Sequence, residues 1–115
     1  MTAPASAAAL SVSLASIQEA LRELQGVAIR TPMVRTAGWL AGGATAYLKC
    51  EHLQSIGAFK VRGAHTAIAR LDPSVRARGV VTSSSGNHGQ AVAFVAQRFG
   101  IRSVIVMPES APAVK

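Results

Sequence analysis

The sequence predicts an α/β domain in which parallel strands carry packed helices, and three observations lead there. From Ala46 onward, strand-like and helix-like segments alternate. Short loops rich in Ser and Gly separate strands from the helices that follow. Hydrophobic residues make up 50% of the chain and charged residues 15%, which is apolar surface enough to fold. At 115 residues the chain has the length of one small domain and is short for a complete metabolic enzyme.

Residues 1–12, rich in Ala and Ser with little to bury, are expected to form a disordered leader, and 13–115 the folded part. From Ser13 to Leu24 the residues Leu14, Ile17, Leu21 and Leu24 fall on one helical face, with Gly26 placed to stop the helix. This reads as an amphipathic covering helix. Arg30-Thr31-Pro32 favours extended backbone, since proline restricts the residue before it, and Met33-Val34 then leads to a turn at Gly42-Gly43 past a helical turn near Trp39. Beyond it come a strand over Ala46–Cys50, a loop, a helix over Phe59–Leu71 and a strand over Val80–Thr82. A Ser/Gly loop, a helix over Asn87–Phe99 and an apolar strand-like run over Ser103–Met107 complete the pattern. No internal repeat is present, and Pro108 and Pro112 fall where a further helix is expected to begin.

Composition narrows the function. The formal net charge is +7, but Lys and Arg are spread from Arg22 to Lys115 and aromatic residues are few, so a nucleic-acid partner is not expected. No phosphate loop of the G-x-x-x-x-G-K type is written in the chain. One cysteine, Cys50, makes no internal disulfide, and no Cys/His spacing suggests a metal site, so a cytoplasmic protein without a bound metal is expected. The apolar run Ala7–Ile17 is interrupted by serines and too short to span a bilayer.

Two segments carry chemistry, and both fall where a helix is expected to begin. Helix starts offer unpaired N–H groups and partial positive charge. In Gln54-Ser55-Ile56-Gly57-Ala58-Phe59-Lys60-Val61-Arg62-Gly63-Ala64, Gly57 permits a tight turn and Lys60 falls in the first turn of the helix. Cationic side chains are disfavoured there, so this lysine, flanked by Phe59 and Val61, is a candidate nucleophilic amine for aldehyde chemistry. Taken alone it also reads as an ordinary surface lysine. In Ser83-Ser84-Ser85-Gly86-Asn87-His88-Gly89-Gln90, small residues let backbone N–H groups approach a carboxylate or phosphate, with Asn87 placed to cap the helix. The same residues equally make a well-capped turn, with His88 a packed or capping histidine.

Together these segments resemble the fold type II pyridoxal-phosphate enzymes, in the branch of threonine/serine dehydratases and serine racemases. The resemblance covers about Thr31 to Lys115. It includes Thr31-Pro32, Lys49-Cys50-Glu51, Gln54, Gly57 through Ala64, Ser84 through Gln90 and Met107-Pro108-Glu109. Cysteine and threonine synthases typically place an acidic residue directly after the lysine, whereas this chain has Val61-Arg62-Gly63, which favours the dehydratase/racemase branch. Ala58 departs from the pattern: many relatives have a serine there, and a methyl group donates no hydrogen bond.

The resemblance implies a three-layer sandwich with a mostly parallel sheet and helices on both faces, here incomplete. It implies pyridoxal 5'-phosphate as cofactor and a small amino acid as substrate. Lys60 would form the internal Schiff base and take the substrate's α-proton, with Phe59 packed against the cofactor ring. Asn87 would hydrogen-bond the ring hydroxyl. Ser84, Ser85, Gly86, Asn87 and His88 would hold the substrate carboxylate, and in racemases the serine matching Ser85 handles the proton on the opposite ring face. The expected activity is an ammonia-lyase acting on L-threonine or L-serine, with amino-acid racemisation and an inactive truncated remnant as alternatives. The family's glycine-rich phosphate loop and the side chain that meets the pyridine nitrogen would both lie past Lys115. The 115 residues alone are therefore expected to be marginally stable, to hold the cofactor weakly and to need a longer, homo-oligomeric form for turnover.

Overall fold

The structure is a computed structural model and describes residues 12–36 and 44–113. The expected leader falls outside the described residues except for Val12, as do Trp39 and the Gly42-Gly43 turn. Ser13 starts helix α1 (Leu14–Glu23) with a reciprocal cap: its hydroxyl accepts the Ser16 N–H at 3.1 Å, and the Ser16 hydroxyl accepts the Ser13 N–H at 3.1 Å. The extended segment after Pro32 forms β1 (Met33–Thr36), which pairs with β2 (Ala46–Lys49), Met33 opposite Lys49 and Thr36 opposite Ala46. A 3-10 turn over Glu51–Leu53 leads to α2 (Lys60–Ala69). Then come α3 (Pro73–Ala77), β3 (Val80–Ser83), α4 (Asn87–Phe99) and β4 (Ser103–Val106). β3 and β4 are parallel, Val80 opposite Ser103, with α4 as their crossover.

The α/β class expected from the alternation holds, and of the mostly parallel sheet the described residues form only part. They make two separate two-stranded sheets, β1-β2 antiparallel and β3-β4 parallel. The residues between β1 and β2 are fewer than the roughly dozen that a parallel crossover needs, so a return in the opposite direction is the accessible pairing. Of the expected three layers, the described residues show the β3-β4 sheet with helices on one face. Val80 and Ile105 pack toward α4, whereas Val81 and Val106 on the other face are 73% and 55% exposed. Helix α3 lay outside the sequence reading, yet its signal is present: Asp72 accepts the Ser74 N–H at 2.8 Å and Pro73 occupies the first turn.

The core is the seam between α2 and α4. Val61, Ala64 and Ile68 of α2 meet Ala91, Val92 and Val95 of α4, with Val80, Ile105 and Phe99 packed around them. Alanine at the contact lets the two helices approach closely, and Val61 and Val95 lose all solvent contact. His65 is buried beside this seam, its ring stacked on Phe99 with centroids 5.3 Å apart. Burial pushes its imidazole below the ordinary 6.5. The unfolded chain therefore takes up this proton first, and stability falls as pH drops below 6.5 until the folded imidazole is protonated too.

Helix α1 does not cover the core as expected. Only Leu24, at its end, is buried, while Leu14, Ile17 and Leu21 are 71%, 54% and 64% exposed. The helix meets α2 through charge instead: Arg70 Nε donates to both Glu23 carboxylate oxygens at 3.0 and 3.1 Å. Because the seam is the largest apolar contact, Val95→Ala should cost about 2 kcal/mol of stability from lost burial and a residual cavity. Urea unfolding of the full-length protein should show a lower midpoint with an unchanged slope.

Candidate active site

Helices α2 and α4 run from the same region of the molecule, and their starts carry both segments singled out in the sequence. Lys60 is the first residue of α2 and Phe59 its N-cap, with no side chain capping the helix. The turn before it closes through a 2.7 Å hydrogen bond from Gly57 N–H to the Gln54 carbonyl, with Gly57 at φ 69°, a conformation that side-chain-bearing residues rarely adopt. Ala58 is buried under the turn, Phe59 is 58% exposed, and the Lys60 ammonium nitrogen lies 5.1 Å from the centre of the Phe59 ring. Lys60, Phe59 and His88 line one cavity of about 260 Å³, floored by Gly63, Ala64, Ala67, Ile68 and Val92. Two segments far apart in sequence are thereby brought together.

Ser84, Ser85 and Gly86 form the turn before α4, and Asn87 is the first residue of that helix; none of the four lines this cavity. Asn87 was expected to cap α4, but Gly86 holds the cap position and contributes no side chain to it. The turn is held to the sheet: Ser84 N–H donates to the Val106 carbonyl at 2.9 Å, and Gly86 N–H donates to Ser84 Oγ at 3.2 Å. One of the backbone donors expected to face a ligand is therefore directed at the loop's own serine. Gly89 packs closely against the sheet: a Cβ there would sit 3.0 Å from both Ile105 Cγ2 and the Ser84 carbonyl oxygen, so a side chain would force these neighbours to shift. His88 Nε2 is 3.0 Å from Thr82 Oγ1. Thr82 was not anticipated; it stands in β3 on the same face as Val80, which packs toward α4.

A polar cluster flanks the Lys60 helix. Arg62 donates from Nε to Glu51 Oε2 and from one terminal nitrogen to Glu51 Oε1, both at 2.9 Å, a two-point ion pair. Thr31 Oγ1 donates to the same carboxylate at 2.6 Å and Gln54 Nε2 at 3.2 Å, with Lys49 Nζ 3.6 Å away. Buried Gln54 also clamps the backbone of Ile29, accepting its N–H at 2.9 Å and donating to its carbonyl at 2.8 Å. These residues appeared in the sequence only as members of a motif, because nothing in their spacing shows that they meet. The Arg62 hydrogen bonds, seconded by Thr31 and Gln54, hold the Glu51 carboxyl down at about 2, against the opposing effect of burial.

Unfolded chain takes up this proton near the ordinary 4.5 and folded chain only near 2, so the stability it confers is complete above 4.5 and is lost as pH falls toward 2. Glu51→Gln should flatten that part of the profile. Thermal unfolding between pH 6 and pH 2 should show the variant losing less stability on acidification than the parent, from a lower starting point.

A family model described as pyridoxal-phosphate dependent enzyme matches residues 24–115. The chain is 47% identical over 106 residues to L-threonine ammonia-lyase of Thermotoga maritima, covering 90% of this chain and 26% of that protein. It is 43% identical over 106 residues to serine racemase of Dictyostelium discoideum, covering 90% of this chain and 32% of that one. The solved structure of maize serine racemase superposes with a TM-score of 0.80 at 41% identity, over 89% of this chain and 31% of the other. The chain thus spans about a third or less of the length of these relatives. With its family-matched region running through both helix starts, the chain belongs to the pyridoxal-phosphate dependent enzymes, in their fold type II group.

Proposed function

We propose that this chain supplies the amino-terminal part of a pyridoxal-phosphate dependent ammonia-lyase that converts L-threonine or L-serine to a 2-oxo acid and ammonia. One observation carries the reading: Lys60, on the first residue of α2, shares a cavity with His88 at the start of α4. Its volume of about 260 Å³ exceeds the ~150 Å³ that suffices for a benzene ring, and its walls are mostly apolar, so a small aromatic ring fits the residues present. Pyridoxal phosphate, when bound, supplies an electron sink for the pair left by the departing α-proton.

The chain's own residues then divide the work. Lys60 Nζ would hold the cofactor through its aldehyde and, once the substrate amine takes that place and frees it, would receive the substrate α-proton. The exposed Phe59 ring would pack against the cofactor ring, and Asn87 would hydrogen-bond its hydroxyl. Ser84, Ser85, Gly86, Asn87 and His88 receive the substrate carboxylate at the start of α4, where the helix dipole favours an anion. Thr82, at 3.0 Å from His88 Nε2, orients that ring. Loss of the substrate β-hydroxyl as water, and uptake of water at the α-carbon, releases ammonia. We place the protein in the cytoplasm as a homo-oligomer; no described helix is long and apolar enough to cross a membrane.

The serine racemases among the relatives favour a second reading, in which Ser85 returns a proton from the opposite ring face and the product is the enantiomer. Assays for ammonia and for the D-amino acid on one preparation separate the two. Borohydride reduction of the full-length protein with its cofactor should fix the label on Lys60 by peptide mapping; a label on Lys49 contradicts the assignment. Asn87→Ala should weaken cofactor binding by about 0.5–1.5 kcal/mol or shift its visible absorbance; an unchanged affinity and spectrum would count against that role.

A further inference from the structure

The start of α2 is held in an unusual way. Its N-cap, Phe59, makes no side-chain cap hydrogen bond, and Ala58 brings no hydroxyl to the turn. Apolar packing begins at Val61 and continues at Ala64 and Ile68. Such packing fixes which face of α2 meets α4, but it is non-directional and resists a slide along the seam weakly. A slide would shift Lys60 along the seam relative to the start of α4, because Lys60 stands at the very end of the helix.

Arg62 opposes that slide. It lies two residues beyond Lys60, and its guanidinium makes three hydrogen bonds, to both Glu51 oxygens at 2.9 Å and to the Ile29 carbonyl at 3.0 Å. Glu51 cannot follow the helix, because Thr31 and Gln54 hold its carboxylate and Gln54 in turn is fixed to the Ile29 backbone. The planar two-point pair supplies direction as well as attraction. Both side chains keep some solvent contact, 28% for Arg62 and 17% for Glu51, so its contribution to stability is modest while its geometric constraint is strict.

We propose that Glu51 and Arg62 form a positioning lock that sets the start of α2 along its axis and so places the Lys60 amine at the reach needed for covalent attachment of an aldehyde cofactor. Neither residue touches the cofactor in this account; both act through Lys60. The inference rests on the reading of Lys60 as the attachment residue.

The test uses the full-length protein and titrates pyridoxal phosphate by visible absorbance, below the unfolding temperature of every variant. Two cofactor readouts are taken, the binding constant and the pH midpoint of the absorbance band, beside the thermal unfolding midpoint. Glu51→Gln and Arg62→Met should weaken binding on the order of ten-fold and move the pH midpoint, as misplacement of a reacting group does. Arg62→Lys, which keeps the charge but not the two-point geometry, should fall between these and the parent. Asp72→Ala, which removes the cap of α3 away from both the pair and the seam, should lower the unfolding midpoint and leave both cofactor readouts alone. If Glu51→Gln and Arg62→Lys lower only the unfolding midpoint, as Asp72→Ala does, the lock is overturned. Should Glu51→Gln fail to fold, the Arg62→Lys comparison decides by itself. Borohydride mapping on the parent distinguishes the remaining failure: a parent not labelled at Lys60 overturns the attachment reading and the lock with it.

Discussion

Everything in this structure that bears on chemistry depends on how closely α2 and α4 approach. The seam is built from Val61, Ala64 and Ile68 against Ala91, Val92 and Val95, and its small residues allow contact along both helices. That contact brings their starts together, so Lys60 and His88 share one cavity although they lie far apart in sequence. Helix starts concentrate unpaired N–H groups and partial positive charge, and two of them side by side make a natural place for an anionic ligand. The β3-β4 pair serves the same end: it fixes the turn before α4 through Ser84 and receives Gly89 at close range.

A second set of constraints acts on the α2 side. Gln54, Glu51, Thr31 and Arg62 tie the backbone at Ile29 to the turn and helix that carry Lys60. Polar side chains do this work because the turn itself is short of local holds, having a glycine at φ 69°, a buried alanine and an uncapped helix start. The division is physically sensible: apolar packing supplies most of the stability, and directional charge-assisted bonds supply placement.

How much of this was legible in the sequence depended on whether a signal was local. Helix α4 is written as a long amphipathic run from Asn87 to Phe99, and the structure has that helix with those bounds. The strands after Gly79 and Ile101 were equally plain, being apolar runs between turn residues. The antiparallel return of β2 onto β1 was not, because strand direction is decided by partners that a sequence pattern does not name. For α1 the amphipathic spacing was read correctly as helix, yet Leu14, Ile17 and Leu21 remain exposed among the described residues, since periodicity marks an apolar face without saying what meets it. At the site, Lys60 and the Ser84–His88 turn stood out by composition, whereas the Glu51–Arg62 and Thr82–His88 contacts exist only once the chain has folded.

The central claim is that a cofactor is bonded to Lys60 and lies between the starts of α2 and α4. A crystal structure of the full-length protein grown with pyridoxal phosphate tests it most directly. Continuous density from Lys60 Nζ to the cofactor, with Phe59 on one side of the ring and the Asn87 amide at its hydroxyl, is the predicted result. Density joined to any other lysine, or a cofactor seated away from the start of α4, would contradict it.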